Sequence, residues 1–556
     1  MDLGQVRMIR AGVTSLIAGM CEELDVVGTL NRLVEWDENQ VKVPPGILAK
    51  AVLINILDDR HALYLLPEYY KKRDTESLLG AGVQPEDIND DAVGRMLDRL
   101  AQAGPRQVFT QIAWSAVGKE HLDLGRLHAD TTSHSVYGVY PQEGGLDVTH
   151  GYSKDRRPDL RQIMYGLVVN RDGVPALGEV LDGNTSDKRW NQQTLEKLGE
   201  LLSPEQLRSI IYIADSALVT PDSLERAADQ GLRFISRFPQ TYALAEELKD
   251  LAWEQGAWVQ VGTLSEQKGA AAYRVQDFRR ELEGRPYRFI VVHSTHLDGR
   301  KEKRLARLIR QEQEELTKAA GELGHQEFAC QQDAEQAAQA FASRYPDAFH
   351  TMQAAVDPQT EVQRRPGRPR KGEVPPTRTG YRVTITVGDP DPQRLQRWRE
   401  QASVFILITN LLDATAYPAE QILREYKEQT SVEVRFRFLK DPFFVHQLYL
   451  KDKGRLEAFA YLVLTALLLF TLIERRVRQA LAAEEEPLVG RGQIKHKRPT
   501  GRVVLELIAD ADVVLIPHDG VIIRHLDIPP NALRALHLAG FGPELYTRPY
   551  PGGEAA

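Results

Sequence analysis

The spacing of hydrophobic and polar residues changes several times along the chain. Up to about residue 122 the apolar positions follow the helical period, with capping residues at Asn89-Asp90-Asp91 before one helix and a stop at Gly104-Pro105 after it. A further helix follows that stop. We therefore predict an all-helical N-terminal domain over residues 1–122.

Beyond Arg126 the residues become typical of strands, being rich in Thr, Ser, Val and Tyr. Arg171-Asp172-Gly173 is a hairpin turn between two of these strands, and an apolar run that ends before Asp215 is typical of a buried strand. The predicted strands lie at 126–139, 163–170, 174–181, 209–214 and 233–238. A meander followed by alternating strands and helices predicts an α/β (α+β) fold with a mixed sheet and helices on its faces.

This pattern breaks after residue 240, where strand-like pieces surround a long charged helix at about 299–323 and a basic, Pro-rich linker at 363–382. The α/β pattern returns at 403–411, so we predict that an insertion interrupts one domain. The predicted divisions are an N-terminal domain that binds DNA ends (1–122), a core in two pieces (123–240 and 401–480), the insertion domain (241–400), and a C-terminal segment that contacts DNA or a partner (481–556).

Composition narrows the class of protein. The 556 residues are 42% hydrophobic and 27% charged, which is typical of globular chains, and a net charge of −8 excludes a uniformly basic nucleic-acid coat. With two cysteines far apart, a disulfide scaffold is excluded and a reducing cytoplasm is expected. The apolar run 458–473 is shorter than the roughly twenty residues of a membrane span, so we predict a buried helix and no membrane.

Two aspartates stand where carboxylates can meet. Asp130 lies in the first predicted strand and Asp215 ends the fourth, and these strands can be neighbours. Paired carboxylates suit Mg²⁺ or Mn²⁺, although either residue alone is more typical of a turn or a cap. His128 and His134 alternate in phase with Asp130, which keeps open a His/Asp metal-dependent hydrolase of small phosphoesters; ordinary polar strand residues would look the same.

A polar stripe marks the segment from Tyr426 to Lys440. At about 100° per residue, Tyr426, Gln429, Glu433 and Lys440 fall on one face if a single helix persists. An exposed helix with scattered charges is the alternative interpretation.

This segment resembles the Y-x2-R-x3-E-x6-K signature of bacterial DDE-type insertion-sequence transposases of the insertion-sequence-4-type superfamily. Tyr426, Glu433 and Lys440 match it, and Gln429 stands at the arginine position. Four further blocks are similar to the family and occur in its order: LHADTTSHSVYG around Asp130, GYSKDRRPDLRQ, GNTSD, and IYIADSAL around Asp215.

The resemblance implies an RNase H-like core, interrupted by an insertion before its last acidic helix and preceded by the helical domain. It implies that Asp130, Asp215 and Glu433 bind two Mg²⁺ (or Mn²⁺) ions, through which water cleaves the element ends and the freed 3′-OH attacks target DNA. Tyr426 and Lys440 would contact the end DNA. Gln429 can form hydrogen bonds but lacks a bidentate cation, unless another cation replaces it. The candidates are Lys427, Arg435 and Arg437.

The expected partners are double-stranded DNA, as terminal inverted repeats and as target, and a second copy of the chain when bound to DNA ends. Two basic segments are candidate DNA contacts, namely the loop with Lys154, Arg156, Arg157 and Arg161, and an AT-hook-like core with Arg368, Arg370 and Lys371. A solvated loop and a soluble linker are the alternatives. A transposase derivative that binds DNA without catalysis is a further alternative, against which the complete acidic triad argues.

Overall fold

The structure is a computed structural model that describes residues 6–140, 144–265, 269–296, 299–362, 377–441, 450–484, 486–518 and 521–547. Its strands are β1 Arg7–Arg10, β2 Arg126–Val136, β3 Arg161–Asn170, β4 Pro175–Leu181, β5 Ile211–Ala214, β6 Arg233–Arg237, β7 Val259–Thr263, β8 Ala272–Leu282, β9 Arg285–Ser294, β10 His350–Val362, β11 Thr377–Pro390, β12 Val404–Thr409, β13 Leu488–Val489, β14 Lys495–His496, β15 Asp512–His518 and β16 Val521–Asp527.

Its α-helices are α1 Thr14–Glu23, α2 Val26–Leu33, α3 Pro45–Leu57, α4 Leu66–Tyr70, α5 Thr75–Leu79, α6 Asp90–Ala103, α7 Pro105–Lys119, α8 Asp187–Leu201, α9 Pro204–Ser209, α10 Pro221–Asp229, α11 Ala243–Gln255, α12 Gly299–Gly324, α13 Gln331–Arg344, α14 Pro392–Ala402, α15 Ala419–Lys427, α16 Thr430–Lys440, α17 Lys453–Ala482, α18 Gly501–Ile508 and α19 Pro530–Leu538.

A nine-stranded mixed sheet forms the centre of the molecule, in the order β4-β3-β2-β5-β6-β12-β9-β8-β7. Strands β2, β3 and β4 form the antiparallel meander, and the turn between β3 and β4 places Gly173 at a φ of +77°, where glycine is favoured. Strand β5 then pairs with β2, and β6 with β5, both in parallel. The predicted mixed sheet with an RNase H-like core is confirmed.

The insertion is more closely joined to this sheet than its sequence pattern indicates. Strand β12 pairs antiparallel with both β6 and β9, and β7 to β9 extend the same sheet. Phe289 and Val291 pack into the core on one face while Ile290 and Val292 pack on the other, because an apolar run in a central strand needs cover on both faces. A separate unit begins only at α12, which packs with α13 on the β10–β11 hairpin.

The N-terminal helices share their core with distant parts of the chain. Helix α17 packs against α3, α6 and α7. The predicted buried helix is confirmed, but it has 30 residues, so the argument from its short length was wrong. By length and mean hydropathy (2.2) α17 could cross a membrane, and 94% of its most apolar window is buried inside the protein. The all-helical expectation also needs correction, because β1 pairs with β15.

Candidate active site

Asp130 lies within β2, just past the residues that pair with β5, and Asp215 directly follows the carboxyl end of β5, the parallel neighbour of β2. Strand β2 pairs with β5 so that His128 is opposite Ile213. Asp130 lies two residues after His128, and Asp215 lies two residues after Ile213. Adjacent strands lie about 4.8 Å apart, so this register places the two carboxylates side by side. The Asp215 side chain caps the following turn by accepting a hydrogen bond of 3.0 Å from the Ala217 N–H.

Burial dominates the electrostatics of this pair. It raises the pKa of Asp130 from 3.8 to about 6, against the opposing effect of the Lys154 ammonium; the charges of Asp215 and Asp187 raise that pKa further. Burial also raises the pKa of Asp215, and Asp187 adds to that shift. A cation placed among these carboxylates would therefore relieve both desolvation and mutual repulsion.

Asp187 is a third carboxylate at this place, and the sequence analysis assigned it no role. It is the first residue of α8, where Thr131 Oγ1 donates a hydrogen bond to Asp187 Oδ1. Its position in GNTSD was the available signal, but an acidic residue in the first turn of a helix is ordinary.

The Lys154 ammonium lies beside the carboxylates of Asp130 and Asp187. Its Nζ donates to the Thr131 carbonyl oxygen at 2.7 Å and to Thr131 Oγ1 at 2.9 Å. The same Nζ lies 3.8 Å from Asp130 Oδ1 and 3.5 Å from Asp187 Oδ1.

Glu433 lies in the first turn of α16, with its side chain exposed. Burial raises the pKa of Tyr426 to about 12, and the charges of Asp215, Asp130 and Glu433 contribute, so the phenol lies within the field of all three carboxylates. Within the described residues, however, no three acidic, His or Cys side chains converge closely enough to hold one ion as they stand. Convergence of the three carboxylates at a metal site therefore stays a prediction.

The single helix assumed for the polar stripe is wrong. Helix α15 ends at Lys427 and α16 begins at Thr430, with Gln429 at the break and half-buried. The stripe is therefore shared by two helices. Lys440, in the last turn of α16, forms a 2.5 Å ion pair with Asp155 in the loop between β2 and β3.

One cation proposed to replace the family arginine is excluded by burial. Arg435 is 4% exposed and pairs with Glu474 at 2.8 Å, so it cannot reach DNA. Lys427 lies 5.1 Å from the ring centroids of both Tyr273 and Phe405. Arg437 is exposed and is the most accessible of the three candidates.

The other predicted DNA contacts differ in exposure and in the partners that their side chains already have. Arg156 is exposed, whereas Arg157 forms a bidentate pair with Asp159 and Arg161 donates to the Tyr140 carbonyl oxygen at 2.7 Å. The AT-hook-like residues lie outside the described residues; they are Arg368, Arg370 and Lys371.

The two histidines of the hydrolase alternative are both buried. Burial lowers the pKa of His128 and of His134 to about 4, so both are neutral at physiological pH. At 0% and 8% exposure, neither is available to a substrate in solution.

The chain is similar in sequence to two protein families and in fold to a solved structure. A family model described as a transposase DDE domain matches residues 147–469, and one described as a domain of unknown function (DUF4277) matches residues 6–114. No curated protein matches the sequence. Among solved structures, a cryo-EM structure of the piggyBac transposase synaptic complex with hairpin DNA is similar at 9% identity and a TM-score of 0.37, over 89% of this chain and 80% of that one.

DDE transposases use divalent metal ions, and the half-buried carboxylates of Asp130 and Asp215 have the oxygen donors that such ions prefer. The DDE-domain match covers more than half of the 556 residues, and it includes Asp215 and Glu433. The protein therefore belongs to the family of transposases with a DDE domain.

Proposed function

We propose that the protein is a Mg²⁺-dependent transposase that cleaves the ends of its own element and joins them to target DNA. The observation that carries this proposal is the side-by-side placement of the half-buried Asp130, within β2, and Asp215, directly after β5. Family membership supports the reaction class, and this arrangement supports the proposed position of the site in the fold.

In this proposal Asp130, Asp215 and Glu433 hold two Mg²⁺ (or Mn²⁺) ions. When bound, such ions activate the attacking oxygen and stabilise the leaving oxygen of a phosphodiester. The protein keeps Asp130 and Asp215 largely out of water, where their charges favour a divalent cation more strongly than exposed carboxylates would. Glu433 is exposed on α16, and in this proposal its side chain turns towards the ions when they bind.

The proposed partners are the terminal inverted repeats of the element and the target duplex, bound by two copies of the chain in the bacterial cytoplasm. Tyr426, Gln429 and Lys440 would lie along the end DNA, together with the exposed Arg156. Lys440 would exchange its pair with Asp155 for a phosphate, which couples DNA binding to the loop between β2 and β3.

The test is cleavage of a duplex that carries the inverted repeats flanking the gene, with Mg²⁺ as the added ion. We expect Asp130→Asn, Asp215→Asn and Glu433→Gln each to lower cleavage by about a thousandfold or more, because each removes a metal ligand. End binding in EDTA should persist in all three. Asp250→Asn, at an exposed position on α11, is the matched control and should cleave normally.

Full cleavage by Glu433→Gln would remove Glu433 from the metal site. Full cleavage by all three variants would overturn the proposed site. If the unaltered chain binds the ends but never cleaves them, the protein is a DNA-binding derivative that has lost catalysis.

A further inference from the structure

Hydrogen bonds fix Lys154 beside the carboxylates. Its backbone N–H donates to Ser133 Oγ at 2.8 Å, and its ammonium donates to the carbonyl and hydroxyl oxygens of Thr131. Both ends of the residue are therefore attached to β2, the strand that carries Asp130. Such double attachment fixes the side chain in one place, in contrast to a lysine on a solvated loop.

The charges around this ammonium are unbalanced. Asp130 and Asp187 lie within 4 Å of it, and its charge lowers the pKa of both Asp130 and Asp215. One cation is thus shared among three carboxylates, which leaves the group negative. An ammonium has three N–H donors, and two of them are used by Thr131. At most one N–H therefore remains for the carboxylates.

We propose that Lys154 is an internal counter-ion of the carboxylate site, which partly neutralises Asp130 and Asp187 in the absence of metal and yields its place to a divalent ion. The inference rests on the proposed function, because it assumes that Asp130 is a metal ligand. It assigns Lys154 a role in metal loading, in place of the phosphate contact expected from the sequence.

Two consequences follow from competition between the ammonium and the metal ion. Without metal, Lys154 reduces the repulsion among the carboxylates and so stabilises the fold. With metal, displacing the ammonium opposes binding and so weakens the affinity. Removal of the charge should therefore lower stability in EDTA and increase metal affinity, a combination that a lysine with a purely structural role would not produce.

The test uses the 556-residue chain with Lys154→Met, which removes the charge and shortens the side chain by one heavy atom. We expect the Kd for Mn²⁺, measured by isothermal titration calorimetry, to fall about tenfold. The melting temperature should be several degrees below that of the unaltered chain in EDTA, and the difference should close in saturating Mn²⁺. Lys154→Arg keeps the cation and should preserve the weaker affinity.

Lys197→Met is the matched control, because Lys197 is a similarly half-buried lysine paired with Glu179 away from the site. It should lower the melting temperature equally with and without Mn²⁺, and leave the Kd unchanged. If Lys154→Met fails to fold, Lys154→Gln provides the same comparison, since its amide can still donate to Thr131.

Unchanged or weaker Mn²⁺ binding by the neutral variant would overturn the inference. The proposed function would survive that outcome, provided that the unaltered chain binds Mn²⁺ and Asp130→Asn abolishes the binding. If the unaltered chain binds no Mn²⁺ at all, both the metal site and the counter-ion role are overturned.

Discussion

Arg435 and Glu474 form a buried ion pair of 2.8 Å that joins α16 to the long central helix α17. Glu474 is 2% exposed, forms a second ion pair of 2.7 Å with Arg478, and accepts a hydrogen bond of 2.7 Å from the Gly501 N–H. Arg435 in turn donates to the Asp172 carbonyl oxygen at the turn between β3 and β4. The helix that carries Glu433 is thus anchored to both the sheet and the N-terminal core.

This network predicts an asymmetric cost of substitution. Glu474→Ala should lower the free energy of unfolding by about 3–5 kcal/mol, because it leaves the buried Arg435 guanidinium without a carboxylate. Arg435→Ala should cost less, since Glu474 keeps Arg478 and the Gly501 N–H. Urea unfolding measures both. Arg424→Ala, which breaks an exposed pair with Glu420, is the control and should change stability by under about 0.5 kcal/mol. Equal losses for Glu474→Ala and Arg435→Ala would contradict the asymmetry.

The raised pKa of Asp130 predicts a pH-dependent stability in EDTA. An unfolded aspartate ionises near pH 3.8, whereas the folded carboxyl keeps its proton until about pH 6, so its ionised form destabilises the fold above pH 6 and not below pH 4. Asp130→Asn should therefore be more stable than the unaltered chain by about 1–3 kcal/mol at pH 8. The gain should shrink between pH 6 and pH 4. Denaturant unfolding across this range checks the sign, and a constant difference would contradict it.

The break at Gln429 bears on binding of the element ends. Gln429→Arg should add one charge-assisted phosphate contact, worth about 1.5–3 kcal/mol when well placed, and should steepen the salt dependence of end binding. Gln429→Met, similar in length but uncharged, is the control. No gain from Gln429→Arg, together with a large loss from Arg437→Ala, would show that Arg437 already makes the contact.

Two adjacent arginines in the loop between β2 and β3 allow a matched test of DNA binding. Arg156 is exposed and Arg157 is paired with Asp159. Arg156→Ala should reduce the slope of log affinity against log salt by about 0.9, the value for one phosphate. Arg157→Ala should reduce it less, because its charge is already partly neutralised. Filter binding at several salt concentrations measures both slopes, and a flat salt dependence in the unaltered chain would contradict a DNA interface.

Local patterns predicted most of the central sheet and failed where pairing is remote. The meander β2 to β4, the buried strand β5 and the helix α12 follow from residue spacing, because burial imposes the period of each element. Strand β1 has four residues and only one buried side chain, so its pairing with β15, some 500 residues away, leaves no local signal. The extension of the sheet by β7 to β9 depends in the same way on pairing across the chain.

In the site, too, local sequence patterns predicted some features, while others depend on contacts between remote residues. The family motif identified Asp130 and Asp215, whose strands the structure makes adjacent. Arg435 lies in VRFRF, which alternates in sequence, yet the helical period turns this arginine towards Glu474. Lys154 lies in a basic loop, and only the folded position of Thr131 reveals that it turns inward.

The position of α17 governs the order in which this protein can mature on the ribosome. Helices α3, α6 and α7 are synthesised first, but they bury their apolar faces against a segment that begins at Lys453. Strand β1 waits longer still, for a partner that begins at Asp512. A nascent chain that stops before Lys453 therefore leaves these helices uncovered, and such surfaces aggregate or recruit chaperones. Premature termination between the Glu433 and Lys453 codons should therefore yield insoluble protein, even though the Asp130, Asp215 and Glu433 codons have all been translated.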